Sequence, residues 1–209
     1  MIQGVRTKED VGEAQIFVSG DRLSWSPLKR IRTEEPFGYM WECPDYMDVD
    51  GQKLLSASVQ GLEGDKWRDQ NVYQSGYFYI EGDILGEYSL SQYRLWDCGF
   101  DYYAPQSFVT EDGRLVMMAW MGMPDCPEYG NSPALAEGWQ HCFTFPREIY
   151  TEDGAVRQRP VRELEMLKRK VKGAEGHLKA ECPAAWETDI TCIQGGRFRA
   201  VVGGGLVLT

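Results

Sequence analysis

The chain is poor in the residues that build metal centres and nucleophile sites. Among its 209 residues there are two histidines, His141 and His177, far apart in sequence. Two isolated histidines build no metal cluster, and no serine stands in a Ser-His-Asp pattern. The six cysteines, Cys43, Cys98, Cys126, Cys142, Cys182 and Cys192, include no CxxC pair, which excludes zinc knuckles and dithiol redox motifs. Neither a metal nor a cofactor is expected. Positive charge is scarce: 22 Lys and Arg face 32 Asp and Glu, a net charge of -10. Nucleic acid is therefore excluded as a partner, because phosphate neutralisation needs a basic face. No apolar run approaches the ~18 residues of a membrane span. The opening MIQGVRTKEDVGEAQ lacks the apolar core of a secretory leader, so reduced thiols and a cytoplasmic location are the expectation.

Aromatic residues are plentiful, 12% of the chain with 7 Trp and 11 Tyr. Such rings fill cores and also stack on neutral sugars, and the acidic balance permits sugars. Strand patterns dominate, punctuated by Asp-Gly turns at Asp50-Gly51, Asp112-Gly113 and Asp153-Gly154, where glycine supplies positive φ cheaply. Two four-strand groups emerge. The first is MWECPDYMDV, KLLSASV, YQSGYFYIEGD and EYSLSQY. The second is DYYAPQSFV, RLVMMAWMG, HCFTFPREIY and AVRQRPV. Repeated four-stranded antiparallel units are the grammar of propeller blades. The segment before them, MIQGVRTKEDVGEAQIFVSGDRLSW, has the pattern of the outer strands of an earlier blade. A short helix is expected over Val161 to Lys170, VRELEMLKRK, whose charges allow i,i+4 pairs.

Several carboxylates stand where chemistry is possible. Glu42 follows Trp41, and a carboxyl desolvated beside an indole suits a general acid; a lone Glu beside Trp is also a common structural pair. Asp45 lies on the opposite face of the strand from Glu42 if the strand is regular, which Pro44 puts in question. Asp97 and Asp101 flank CGF ahead of Tyr102 and Tyr103, a set able to hold vicinal hydroxyls or simply to cap a turn. Arg147 is read as a surface partner of Glu148 or Glu152.

Four ordered stretches, MWECPD, DCGFDYYAPQSF, GRLVMMAWMG and GWQHCFTFPRE, together resemble the glycoside hydrolase family 32 enzymes, the β-fructofuranosidases. MIQGVRT and FVSGDRLSWS add to the likeness, which runs over about residues 1 to 170. The resemblance implies an all-β chain forming part of a five-bladed β-propeller, with two complete four-stranded blades and a partial one. It also implies a funnel-shaped pocket on the propeller axis where three acidic motifs meet. An NDPNG-type motif supplies the nucleophile, RDP a transition-state stabiliser, and ECPD the acid/base. Only ECPD is in this sequence, making Glu42 the implied acid/base. Trp41, Asp45, Asp101, Tyr102 and Trp120 are the implied substrate-binding positions.

The expected organisation is a partial propeller over residues 1–165, a linker over 166–183, and the start of a C-terminal β-sandwich over 184–209. The expected function is a fragment of a retaining hydrolase acting on β-fructofuranosides such as sucrose or sucrose 6-phosphate. Without the nucleophile motif, such a chain is inactive alone, since retention needs two carboxyl groups about 5–5.5 Å apart. A different class remains open: a non-catalytic all-β carbohydrate-binding or assembly module. The expected partners are a small saccharide and, because a partial propeller leaves blade faces uncovered, further copies of the chain. Strands such as RLVMMAW and YQSGYFYI are expected to form those open faces.

Overall fold

The computed structural model describes residues 1–126, 133–167, 200–202 and 206–208. The chain divides into two units, Met1–Leu167 and Lys168–Thr209. In the first, three antiparallel sheets follow one another along the sequence. Strands β1 (Ile2–Arg6), β2 (Gly12–Val18) and β3 (Ser26–Ile31) form the first, in that order. The second orders β4 (Met40–Val49), β5 (Gln52–Gln60) and β6 (Tyr73–Gly82), and its outer edge is made by two short pieces, β7 (Tyr88–Leu90) and β8 (Arg94–Leu95), both on β6. The third runs from β9 (Tyr103–Val109) to β10 (Leu115–Met121). Both β11 (Cys142–Phe143) and β12 (Arg147–Glu152) then pair with β10, and β13 (Ala155–Pro160) pairs with β12.

The sheets stack through two apolar layers, because a strand's alternate side chains point to opposite faces. Trp41, Leu55, Ala57, Val59, Phe78 and Ile80 pack with Ala14 and Ile31 of the first sheet. Met47, Val49, Leu54 and Tyr77 pack with Leu115, Met117, Ala119 and Ile149 of the third. The central sheet is thus covered on both faces, which is how blades stack around a propeller axis. Among the described residues the fold is all-β apart from a four-residue helix, Pro133–Ala136, and a short 3-10 segment, and it is part of a propeller. Close approach of the first two blades requires glycine at one point: a side chain at Gly4 would run into the carbonyl of Trp41.

Turns follow their sequences. Asp50 and Gly51 both have positive φ, 52° and 88°, as do Asp153 and Gly154 at 51° and 72°, the geometry of a two-residue hairpin loop. Asp112-Gly113 differs. Only Gly113 has positive φ, 85°, and the Thr110 amide donates to the Arg114 carbonyl at 2.9 Å, closing a longer loop.

Two expected strands are broken. EYSLSQY splits into β7 and β8 because Tyr93 turns into the core, where its hydroxyl donates to the Ala57 carbonyl at 2.7 Å. HCFTFPREIY splits at Thr144–Pro146, and the Thr144 hydroxyl oxygen accepts the Ala119 amide at 3.1 Å. The expected helix is a 3-10 segment, Arg162–Leu167; its remainder, Lys168 to Lys170, lies outside the described residues. So does most of the expected linker and β-sandwich start. Of the second unit, β14 (Ala200–Val202) and β15 (Leu206–Leu208) pair antiparallel.

YQSGYFYI and RLVMMAW do not form open faces. The first is mostly buried within the central sheet, and Leu115, Val116, Met117 and Ala119 of the second are buried as well. The exposed apolar residues of the third sheet include Phe108 and Phe143 instead.

Candidate active site

The site is built on an irregularity in β4. Pairing with β5 keeps one register from Asp45 to Val49 and shifts between Glu42 and Asp45. Cys43 takes φ 46°, and Pro44 offers no amide to the ladder. One extra residue is thus accommodated as a β-bulge, which re-aims the side chains beyond it. In a regular strand Glu42 would share a face with Tyr46 and Asp48. With the bulge it pairs with Ser58 and faces the third sheet, as Asp45, Met47 and Val49 do. Trp41 is turned to the other side.

Glu42 is half-buried there and oriented by two donors. Its Oε2 accepts from Gln60 Nε2 at 3.0 Å and from the Tyr103 hydroxyl at 2.6 Å. Both donors fall on one oxygen, which fixes the carboxyl plane and leaves Oε1 for a proton or a ligand. Burial, and then the hydrogen bond to Glu42, push the Tyr103 phenol well up from its ordinary value. Tyr103 therefore remains a donor throughout the neutral range.

Strand β9, the first of the third sheet, clamps the bulge at three points. Besides Tyr103, Gln106 Nε2 donates to the Cys43 carbonyl at 3.0 Å. The Ser107 amide and hydroxyl donate to Asp45 Oδ2 at 2.7 and 2.6 Å. Burial raises the Asp45 carboxyl from its ordinary value despite these bonds. Around Glu42 runs an aromatic wall. The Tyr39 and Tyr73 hydroxyls lie 3.3 Å apart, the Tyr73 and Tyr103 rings 6.0 Å, and the Tyr103 and Trp120 rings 6.3 Å. The Tyr73 hydroxyl donates to Asp125 at 2.8 Å, and Arg6 lies over the Tyr39 ring at 4.5 Å.

The expected site residues separate accordingly. Glu42 and Trp120 share this wall. Asp45 lies on the same side of β4 as Glu42 but is committed to Ser107. Trp41 is 0% exposed, with its indole N–H donating to the Phe37 carbonyl at 2.7 Å; it has no surface to offer a sugar. Tyr102 is 3% exposed, its hydroxyl on Met117 Sδ at 3.1 Å, and it belongs to the core between the second and third sheets. Asp101 is exposed in the preceding loop. Arg147 pairs with Asp97 at 2.7 Å, not with Glu148 or Glu152. Sequence reading missed Gln60 and Tyr73, and named Tyr103 only alongside Tyr102 as a possible hydroxyl-binding phenol. The signal for Tyr103 was present in the Tyr102-Tyr103 doublet, since adjacent strand residues face opposite ways and only one of the pair can reach the pocket.

Stacked antiparallel blades, with a carboxyl held at the bulged end of a strand inside an aromatic wall, define part of a β-propeller domain. Residues 1–160 match the family model of the glycosyl hydrolases family 32 N-terminal domain. The chain belongs to glycoside hydrolase family 32. Sucrose-6-phosphate hydrolase of Staphylococcus xylosus is 38% identical over 167 residues, covering 76% of this chain and 32% of that protein. That of Bacillus subtilis strain 168 is 38% identical over 200 residues, covering 90% of this chain and 42% of that protein. Among solved structures, sucrose-6-phosphate hydrolase from Lactobacillus gasseri superposes with TM-score 0.70 at 30% identity, covering 79% of this chain and 34% of that one. The Bombyx mori GH32 β-fructofuranosidase gives TM-score 0.68 at 28% identity, covering 80% and 35%. The chain therefore spans between about a third and two fifths of the length of these relatives.

Proposed function

We propose that this chain is the acid/base-bearing portion of a retaining β-fructofuranosidase acting on sucrose or sucrose 6-phosphate. Glu42 would protonate the glycosidic oxygen as the glucose half departs and the fructosyl group bonds to the nucleophile, then take a proton from the water that releases fructose. The observation that supports this most is the bulge. It turns Glu42 out of the core and onto Gln60 and Tyr103, which orient one oxygen and leave the other for proton transfer. Trp120 and Asp101 are proposed to line the fructose side, and Asp45 to hold the bulge.

The nucleophile and the transition-state carboxylate must come from NDPNG-type and RDP segments, which this sequence does not contain. An acid alone forms no covalent intermediate, so the 209 residues by themselves are proposed to be inactive. A cytoplasmic setting accords with Cys43, Cys98 and Cys142 standing outside any disulfide. Further copies of the chain are proposed to cover the open blade faces. Joining the chain to the N-terminal segment of the Bacillus subtilis relative tests the reading. The fusion is expected to release fructose from sucrose or sucrose 6-phosphate, and Glu42→Gln to lower kcat by ~100-fold or more. A folded fusion indifferent to Glu42→Gln would favour the non-catalytic binding module.

A further inference from the structure

Residues 61–72 connect β5 to β6, and both ends of this loop are anchored in the site. Gln60, the last residue of β5, donates to Glu42 at 3.0 Å. Tyr73, the first of β6, lies with its ring 6.0 Å from that of Tyr103. An acid protonates the oxygen of the leaving group, so a departing sugar would lie on the Glu42 side, where both ends of this loop are anchored.

The tip of the loop is a tied turn. Asp65 Oδ1 accepts the amides of Trp67 and Arg68 at 2.6 and 2.8 Å, and the Asp65 amide donates to the Arg68 carbonyl at 3.0 Å. Those backbone bonds hold the Asp65 carboxyl below its ordinary value, so its charge is engaged inward. Asn71 Nδ2 donates to the Gly99 carbonyl at 2.8 Å, fastening the loop to its neighbour. What the turn displays is Lys66-Trp67-Arg68. Trp67 is 82% exposed, and Lys66 Nζ lies 4.9 Å from its ring centre. A large indole left in water, flanked by two cations in a chain of net charge -10, presents an apolar face for a sugar ring together with donors for an anion.

We infer that the Lys66-Trp67-Arg68 turn recognises a phosphorylated leaving group, a hexose 6-phosphate, with the sugar stacked on Trp67 and the phosphate on Lys66 and Arg68. This rests on the proposed β-fructosidase reading and selects sucrose 6-phosphate over sucrose. Unlike a neutral sugar, the phosphate forms charge-assisted bonds to both cations.

Proton–nitrogen NMR of the 209-residue chain at low salt tests it. The Trp67 indole resonance is assigned with Trp67→Phe and followed during titration with glucose 6-phosphate, glucose and inorganic phosphate. Half-saturation by glucose 6-phosphate is expected at about 10-fold lower concentration than by glucose, the worth of one charge-assisted bond. Lys66→Gln/Arg68→Gln is expected to abolish that preference while the rest of the spectrum stays unchanged. Equal response to glucose and glucose 6-phosphate, an equal response to inorganic phosphate alone, or a preference surviving in the double variant would each overturn the assignment. The pocket reading has a separate reporter, the Gln60 side-chain amide under fructose titration with and without Glu42→Gln. A silent Gln60 beside a discriminating Trp67 would fault the pocket, and the reverse would fault the turn.

Discussion

Asp45 offers the sharpest test of how the bulge is held. Its Oδ2 takes both the amide and the hydroxyl of Ser107, across the seam between two blades. Asp45→Ala leaves both donors without their partner. A buried donor so orphaned costs ~1–3 kcal/mol. Ser107 is half-exposed, and water reaches part of the gap, so the expected loss is about 1–2 kcal/mol. Asp45→Asn behaves differently. Burial raises the folded-state pKa of Asp45 above its ordinary 3.8, so folding favours the neutral carboxyl. Asn removes the charge that burial disfavours and retains an acceptor oxygen for Ser107. Its stability at pH 7 is expected to lie within about 0.5 kcal/mol of wild type, inside the range of a well-tolerated change. The linkage sign follows from the raised pKa. Asp45's contribution is fully present below its unfolded pKa and declines as pH rises through the folded one. Asp45→Asn removes that decline in the window just above pH 3.8. Urea unfolding read by tryptophan fluorescence measures all three proteins. A loss in Asp45→Asn equal to that in Asp45→Ala, or no loss in Asp45→Ala, would refute the assignment of Asp45 as a hydrogen-bonding clamp on the bulge.

Other expectations follow from the same packing and chemistry. Trp41→Ala empties a fully buried site between the first two blades and should cost ~3–5 kcal/mol in urea unfolding; a change below 1 kcal/mol would place Trp41 outside the core. The isolated 209-residue chain should release fructose from sucrose no faster than buffer, as an assay of reducing sugar would show; turnover abolished by Glu42→Gln would mean that another carboxylate serves as nucleophile. Phe108 and Phe143 on the third blade are more than half exposed, and exposed apolar surface of that kind favours association. Light scattering should therefore report a mass above the 23.8 kDa monomer, and a monodisperse monomer would contradict it.

Much of the blade pattern was legible because its cause is local. Alternating apolar residues and Asp-Gly turns mark β4 to β6 and β9, β10, β12 and β13 without reference to the rest of the chain. The breaks were not legible. EYSLSQY reads as one strand until Tyr93 is drawn into the core by a distant acceptor, the Ala57 carbonyl. At the site, Glu42 was found through its motif, while its surroundings depended on one bulge. Regular alternation would set Glu42 with the residues facing away from the third sheet, and Pro44 signals an irregularity without giving its size. Once the register shifts, Trp41 becomes core and Glu42 meets Gln60 and Tyr103. The choice of Tyr103 over Tyr102 depends likewise on which face of β9 meets β4, a contact between residues 61 apart in sequence.

The central claim is that Glu42 supplies the proton to the leaving group. The most direct measurement is the dependence on leaving group in the fusion that carries the missing carboxylates, with Glu42→Gln compared to the parent on two substrates. On sucrose, whose departing glucose needs protonation, the variant should lose ~100-fold or more in kcat. On p-nitrophenyl β-D-fructofuranoside, whose phenolate leaves without a proton, formation of the fructosyl intermediate in a single-turnover burst should fall by less than about 10-fold. Equal losses on both substrates would contradict a general-acid role and reduce Glu42 to a structural carboxylate of the bulge.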